Sequence, residues 1–145
     1  MKYMKPFYIL ICFFIITNCS SSREENENCK FLLDIAVNIN INLKLPEYSQ
    51  LKFAGNSVYI ANQGNGGVIV SFTGADYLAW DARDPNQVQT ECSILVNSGL
   101  TATSSCDNKN EYSLVTGQIL NNGTLPCSLR NYRVESFGDA LRITY

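Results

Sequence analysis

The sequence predicts a small all-β domain of antiparallel strands, stapled by disulfides. Three observations carry this prediction. Residues 35–45 carry a branched apolar side chain at every second position, with Ala36, three asparagines and Lys44 between, which is the period of a half-buried strand. Further short β-branched or aromatic runs follow, separated by Gly- and Asn-rich turns, and no window beyond the leader holds the 3.6-residue period of a helix. Four cysteines lie beyond the leader and the lipobox-like cysteine that follows it, an even number in a chain that carries an export signal. The 145 residues suit one domain, with neither an internal repeat nor a second boundary.

Residues 1–18 read as a cleaved lipoprotein signal peptide. Lys2 and Lys5 supply a positive start, and the ten apolar residues Phe7–Ile16 are too short to span a bilayer. Ile16-Thr17-Asn18-Cys19, followed by three serines, resembles a bacterial lipobox, although Asn18 stands where Gly, Ala or Ser is usual. Cys19 is the expected lipidation site. Cleavage would leave 127 of the 145 residues and, by removing Lys2 and Lys5, take the net charge from −2 to −4. Residues 19–29 read as the lipidated cysteine and a polar, disordered tether. Glu24, Glu25 and Glu27 form an acidic cluster there, of the kind that marks surface lipoproteins of the Bacteroidota; a solvated linker is the plainer reading.

The domain proper is expected over 30–145. Ile35, Val37, Ile39, Ile41, Leu43 and Leu45 form one strand face, opposite a face made largely of amides, and Pro46 ends the run because it cannot donate to a ladder. Residues 57–62 (SVYIAN) form the second strand. Gln63-Gly64-Asn65-Gly66-Gly67 is a turn that tolerates positive φ. No P-loop lysine or helix follows it, so it is not a phosphate cradle. Residues 68–72 are β-branched and read as buried, and residues 77–81 (YLAWD) form another strand. Residues 131–136 and 140–144 are strands joined at Phe137-Gly138-Asp139, a hairpin signal.

Composition limits the chemistry. There is no histidine, so the imidazole base of a Ser or Cys nucleophile is missing, as is the usual ligand of catalytic zinc and of most haem sites. With 11 Lys+Arg against 13 Asp+Glu, the chain lacks the basic footprint of a nucleic-acid binder. With Cys12 in the leader and Cys19 lipidated, Cys29, Cys92, Cys106 and Cys127 remain. They allow two disulfides in three pairings, and spacings of 63, 14 and 21 residues contain no Cys-x-x-Cys zinc clip.

From Tyr77 onward the order of features resembles a Rieske [2Fe–2S] domain. The chain runs YLAWDARDPN (77–86), then SSCDNKNEYSLVTGQIL (104–120), then LPCSLRNYRVESFGDALRITY (125–145). In that family a strand leads into Cys-Pro-His and a second loop carries Cys-x-x-His. A stretch like F-x-L-x-T-G, a proline loop, L-x-x-Y-x-V and a hairpin follow. Tyr112–Gly117 matches the third element and Leu129–Val134 the last. The resemblance spans roughly 35–145, is tightest over 77–145, and points to the Rieske-like lipoproteins of Flavobacteria. It implies an antiparallel β-sandwich or incomplete barrel.

The cluster ligands do not carry over. Asp84-Pro85-Asn86 stands at Cys-Pro-His, and the family's spacer puts Ser104 and Asp107 at the second Cys and His. An alternative register uses Cys106 and Lys109 instead. Asp84, Asn86, Ser104 and Asp107 are therefore vestigial cluster positions, and no [2Fe–2S] cofactor or other metal is expected. The resemblance also implies that Cys92 and Cys106 form the disulfide that joins the two cluster loops, which leaves Cys29 and Cys127, both outside the family pattern, as the second pair.

Other candidates have plain readings. Asp84, Asn86 and Asp107 offer oxygens to a hard cation such as calcium, but polar loops explain them more simply. Trp80 reads as a partly buried packing aromatic rather than a sugar platform. Asp81, Asp84 and Glu91 read as loop carboxylates rather than a glycosidase pair. Asn122-Gly123-Thr124 matches a glycosylation acceptor of little meaning in a bacterial lipoprotein. The expectation is a non-enzymatic lipoprotein of the outer membrane, on its periplasmic or surface face, held by lipid at Cys19. Its degenerate Rieske-like domain would be a binding or structural module with a protein or glycan partner. The alternatives are a [2Fe–2S] electron carrier and a ligand-binding accessory of a surface uptake system.

Overall fold

A computed structural model describes residues 29–145. The signal peptide, Cys12, Cys19 and the tether as far as residue 28 lie outside the described residues. Nine strands are present among those described: β1 (Asn38–Asn42), β2 (Asn56–Ile60), β3 (Val68–Phe72), β4 (Tyr77–Asp81), β5 (Leu95–Ser98), β6 (Thr101–Ser104), β7 (Glu111–Ser113), β8 (Asn131–Phe137) and β9 (Ala140–Thr144). They form a six-stranded sheet in the order β1-β9-β8-β4-β3-β2 and a three-stranded sheet in the order β5-β6-β7. Neighbouring strands are antiparallel throughout.

The large sheet curls around its own inner face. Ile39 and Ile41 of β1, Leu141 and Ile143 of β9, Tyr132 of β8, Ala79 of β4 and Val68 and Val70 of β3 belong to one buried cluster. Side chains two residues apart share a face, so one face of these five strands, with partly buried Val58 and Ile60 of β2, packs against itself, as a curled sheet allows. Its edges, β1 and β2, do not pair with each other, which leaves the barrel incomplete. The 3-10 segment Pro46–Lys52 contributes fully buried Leu51 to this cluster. The opposite face of β3 and β4 carries Ile69 and Trp80, which pack with Ala82, Leu95, Ala102, Tyr112, Leu114 and Leu129 in a second cluster. Strand β3 is thus buried on both faces, as its unbroken VIVSF run implies.

The observed fold class is the predicted one: all-β, antiparallel and disulfide-stapled. Details differ. The first strand is shorter than the alternation, because Ile35 and Leu45 at its ends are 36% and 44% exposed. The second strand begins at Asn56 and ends at Ile60. The last hairpin closes through Gly138 and Asp139 alone, with Phe137 paired to Ala140 and Gly138 at φ +62°. The small sheet and the 3-10 segment are additions that the sequence reading did not contain.

Candidate functional site

Three loops converge where the small sheet meets the large one: residues 82–94 after β4, residues 105–110 between β6 and β7, and residues 114–130 before β8. Asp84 lies at their junction and is fully buried. One carboxylate oxygen, Oδ1, accepts from the Tyr112 hydroxyl at 2.6 Å and the Asn86 backbone N–H at 2.9 Å; Oδ2 accepts from the Asn110 side-chain amide at 2.9 Å. The Asp84 N–H donates to the Ser93 carbonyl at 2.8 Å. Asn86 then holds the proline loop: its Nδ2 donates to the Cys127 carbonyl at 2.8 Å and to the Tyr112 hydroxyl at 2.8 Å, and its Oδ1 accepts the Cys127 N–H at 3.1 Å. Burial, reinforced by the hydrogen bond to the Asp84 carboxylate, pushes the Tyr112 phenol far above its ordinary pKa.

Disulfides tie the same loops. Cys92 is bonded to Cys106 and Cys29 to Cys127, with Cα separations of 4.8 and 5.6 Å. Ser104 sits under the first bridge, donating from Oγ to the Cys92 carbonyl at 3.2 Å and accepting the Cys106 N–H at 3.3 Å. Asp107 is exposed on the 105–110 loop. The structure therefore joins Asp84 and Asn86 in one network, places Ser104 beside the Cys92–Cys106 bridge, and leaves Asp107 in solvent. In the alternative register, Cys106 is half of a disulfide and Lys109 donates from Nζ to the Ser105 carbonyl at 3.3 Å.

The residue set does not fit a Rieske cluster. Such a cluster takes two thiolates on one iron and two imidazoles on the other. The chain contains no imidazole, the nearby cysteines are oxidised to disulfides, and both oxygens of Asp84 are occupied by donors within the protein.

The remaining candidates resolve on burial. Trp80 is 6% exposed, donates from its indole nitrogen to the Leu114 carbonyl at 2.9 Å, and packs over Gly117, so it offers no sugar platform. Asp81 is fully buried and accepts from the Tyr132 hydroxyl, the Asn65 N–H and side-chain amide, and the Arg83 N–H. Asp81 and Asp84 thus serve separate networks, and Glu91 is exposed. The Gly64–Gly67 segment is a turn, with Gly64 at φ +57° against the Tyr132 hydroxyl. Asn122 forms a local turn, accepting the Thr124 hydroxyl at 2.7 Å.

Two hubs escaped the sequence reading. Asn65 links Asp81 to the N-terminal segment through the Leu33 backbone, accepting its N–H at 2.7 Å and donating to its carbonyl at 3.0 Å. Arg83 reaches the carbonyls of Asn65 and Thr90 and so ties the 64–67 turn to the loop after β4. An Asn flanked by glycines was the available signal for the first; the second had none.

No family profile matches the chain, and no curated protein does. Solved structures with a similar backbone include the complex of reduced oxygenase and oxidized ferredoxin in carbazole 1,9a-dioxygenase. That match has 12% identity and a TM-score of 0.49, covering 77% of this chain and 94% of that one. Another is a putative NADH-dependent nitrite reductase small subunit from Mycobacterium tuberculosis, at 19% identity and a TM-score of 0.44, covering 77% and 97%. Likenesses at this level assign no activity.

Proposed function

We propose that the chain is a non-enzymatic cell-envelope lipoprotein whose Rieske-like domain has lost its cluster and acts as a rigid binding or structural module. The observation that carries this reading is the state of Asp84. It stands where the family's first thiolate is expected, and three protein donors already occupy its two oxygens. Its acceptor capacity is largely committed to the fold, and the donors with the Cys92–Cys106 bridge give the restraint that a cluster would supply. The test is direct. Full-length protein purified from its own membranes should contain no stoichiometric iron and be colourless in visible light. A brown, iron-loaded protein would sink the proposal in favour of an electron carrier.

The membrane part of the reading rests on the leader and on Cys19. Several acyl chains anchor a protein stably, whereas one binds only marginally. Metabolic labelling with a clickable palmitate should mark the wild type and not Cys19→Ala, and the variant should leave the membrane fraction. Equal labelling of both would show that the anchor assignment is wrong.

A further inference from the structure

The outer face of strands β1, β9 and β8 carries a shallow, open depression of mixed polar and apolar lining, remote from the loops above. Strand register sets its side chains in rows. Asn42, Ala140 and Phe137 form one row, and Asn40, Arg142 and Glu135 form the next. Ala140 is too short to fill the space between its neighbours. A depression of about 390 Å³ remains, lined by residues 40–42, Lys44, Phe137, Asp139 and Ala140. Phe137 is 64% exposed and belongs to neither core cluster.

The charges on this face are unequal. Lys44 pairs with Asp139 at 2.9 Å, and Arg133 pairs with Glu135 at 2.9 Å. The Arg142 side chain, exposed in the row between Asn40 and Glu135 at the edge of the depression, has neither an ion pair nor a hydrogen bond to a described residue. It projects from the same face as Ala140, about 7 Å further along the strand.

We propose that this depression binds saccharides, specifically pyranosides that carry a carboxylate, such as uronic acids. The Phe137 ring offers an apolar platform to the C–H face of a sugar. The Asn40 amide presents a donor and an acceptor, and Asn42, whose Oδ1 accepts the Lys44 N–H at 3.0 Å, presents its Nδ2 donors, which suits adjacent hydroxyls. The Arg142 guanidinium supplies a fork for the carboxylate. The chain as a whole is acidic, so recognition depends on this local cation and weakens with salt. The inference is independent of whether a cluster was lost.

Calorimetric titration of the detergent-solubilised full chain tests it, using an oligogalacturonate and a neutral galactose oligomer of equal length. The acidic sugar should bind saturably and at least about tenfold more tightly than the neutral one, as expected for one charge-assisted contact. Arg142→Gln should abolish that preference. Phe137→Ala, which removes the platform, and Ala140→Phe, which fills the depression, should each weaken binding by about tenfold or more. All three positions are exposed, so melting curves should match the wild type and exclude misfolding as the cause. No saturable binding, equal affinity for the two sugars, or unchanged affinity in Arg142→Gln and Phe137→Ala would overturn the assignment.

Discussion

Burying the Asp84 carboxylate carries a desolvation cost that its donors must offset. Tyr112 is one of these donors, giving its hydroxyl proton to Asp84 while accepting from the Asn86 side-chain amide. Tyr112→Phe keeps the ring in its core cluster and removes only the hydroxyl, leaving a buried carboxylate short of one donor. The expected loss is about 2 kcal/mol, read as a lower midpoint in urea with an unchanged slope. Gly117 is constrained from two sides. Its φ is +74°, and a β-carbon there would stand 2.5 Å from the Trp80 ring. Gly117→Ala should therefore cost about 3 kcal/mol, combining left-handed strain with overpacking. By contrast Gly138→Ala, at φ +62° with nothing nearby, should cost about 1 kcal/mol in the same assay.

At the level of elements, the Cys92–Cys106 bridge joins the loop after β4 to the loop after β6, and both flank Asp84. It closes a short loop, so replacing both cysteines by serine should cost about 3 kcal/mol in the chain-entropy account. Urea denaturation of the double variant checks this, and a loss below about 1 kcal/mol would mean that the hydrogen bonds alone hold the loops. The strands that face the large core were legible because their burial is one-sided or complete: Val37, Ile39, Ile41 and Leu43 are buried while Asn38, Asn40 and Asn42 are exposed. The β5–β6–β7 sheet was not legible, because its buried positions include Ala102 and Ser104 in a run of small, polar residues. The 3-10 segment commits a single side chain, Leu51, to full burial, too little to create a period. At the site, positions 84, 86, 104 and 107 were singled out only by the resemblance to Cys-Pro-His and Cys-x-x-His. Asp84's partners Asn110 and Tyr112 lie 26 and 28 residues away, a distance at which no local pattern operates. Spacing alone left the cysteine pairing open.

Across the whole molecule, the two core clusters share one electrostatic design: each contains a buried tyrosine whose hydroxyl donates to a buried aspartate. Tyr112 with Asp84 belongs to the small-sheet side, and Tyr132 with Asp81 to the large sheet. In both, burial first and the carboxylate hydrogen bond second raise the phenol pKa far above its ordinary value. Stability then depends on alkaline pH in a definite direction. Below about pH 10 both phenols are protonated in the folded and unfolded chains, and the networks contribute in full. Above it the unfolded chain releases these two protons while the folded chain retains them, so unfolding becomes progressively easier. The urea midpoint should be flat on the acid side of this point with respect to these groups and fall as pH rises through it. Phenolate absorbance from the two residues should appear together with loss of structure rather than ahead of it. Tyr132→Phe and Tyr112→Phe should each flatten the alkaline fall while lowering stability at neutral pH. A midpoint in the wild type that does not move above pH 10, or early ionisation of both tyrosines in the folded protein, would contradict the paired Tyr–Asp networks as the common lock of the two halves.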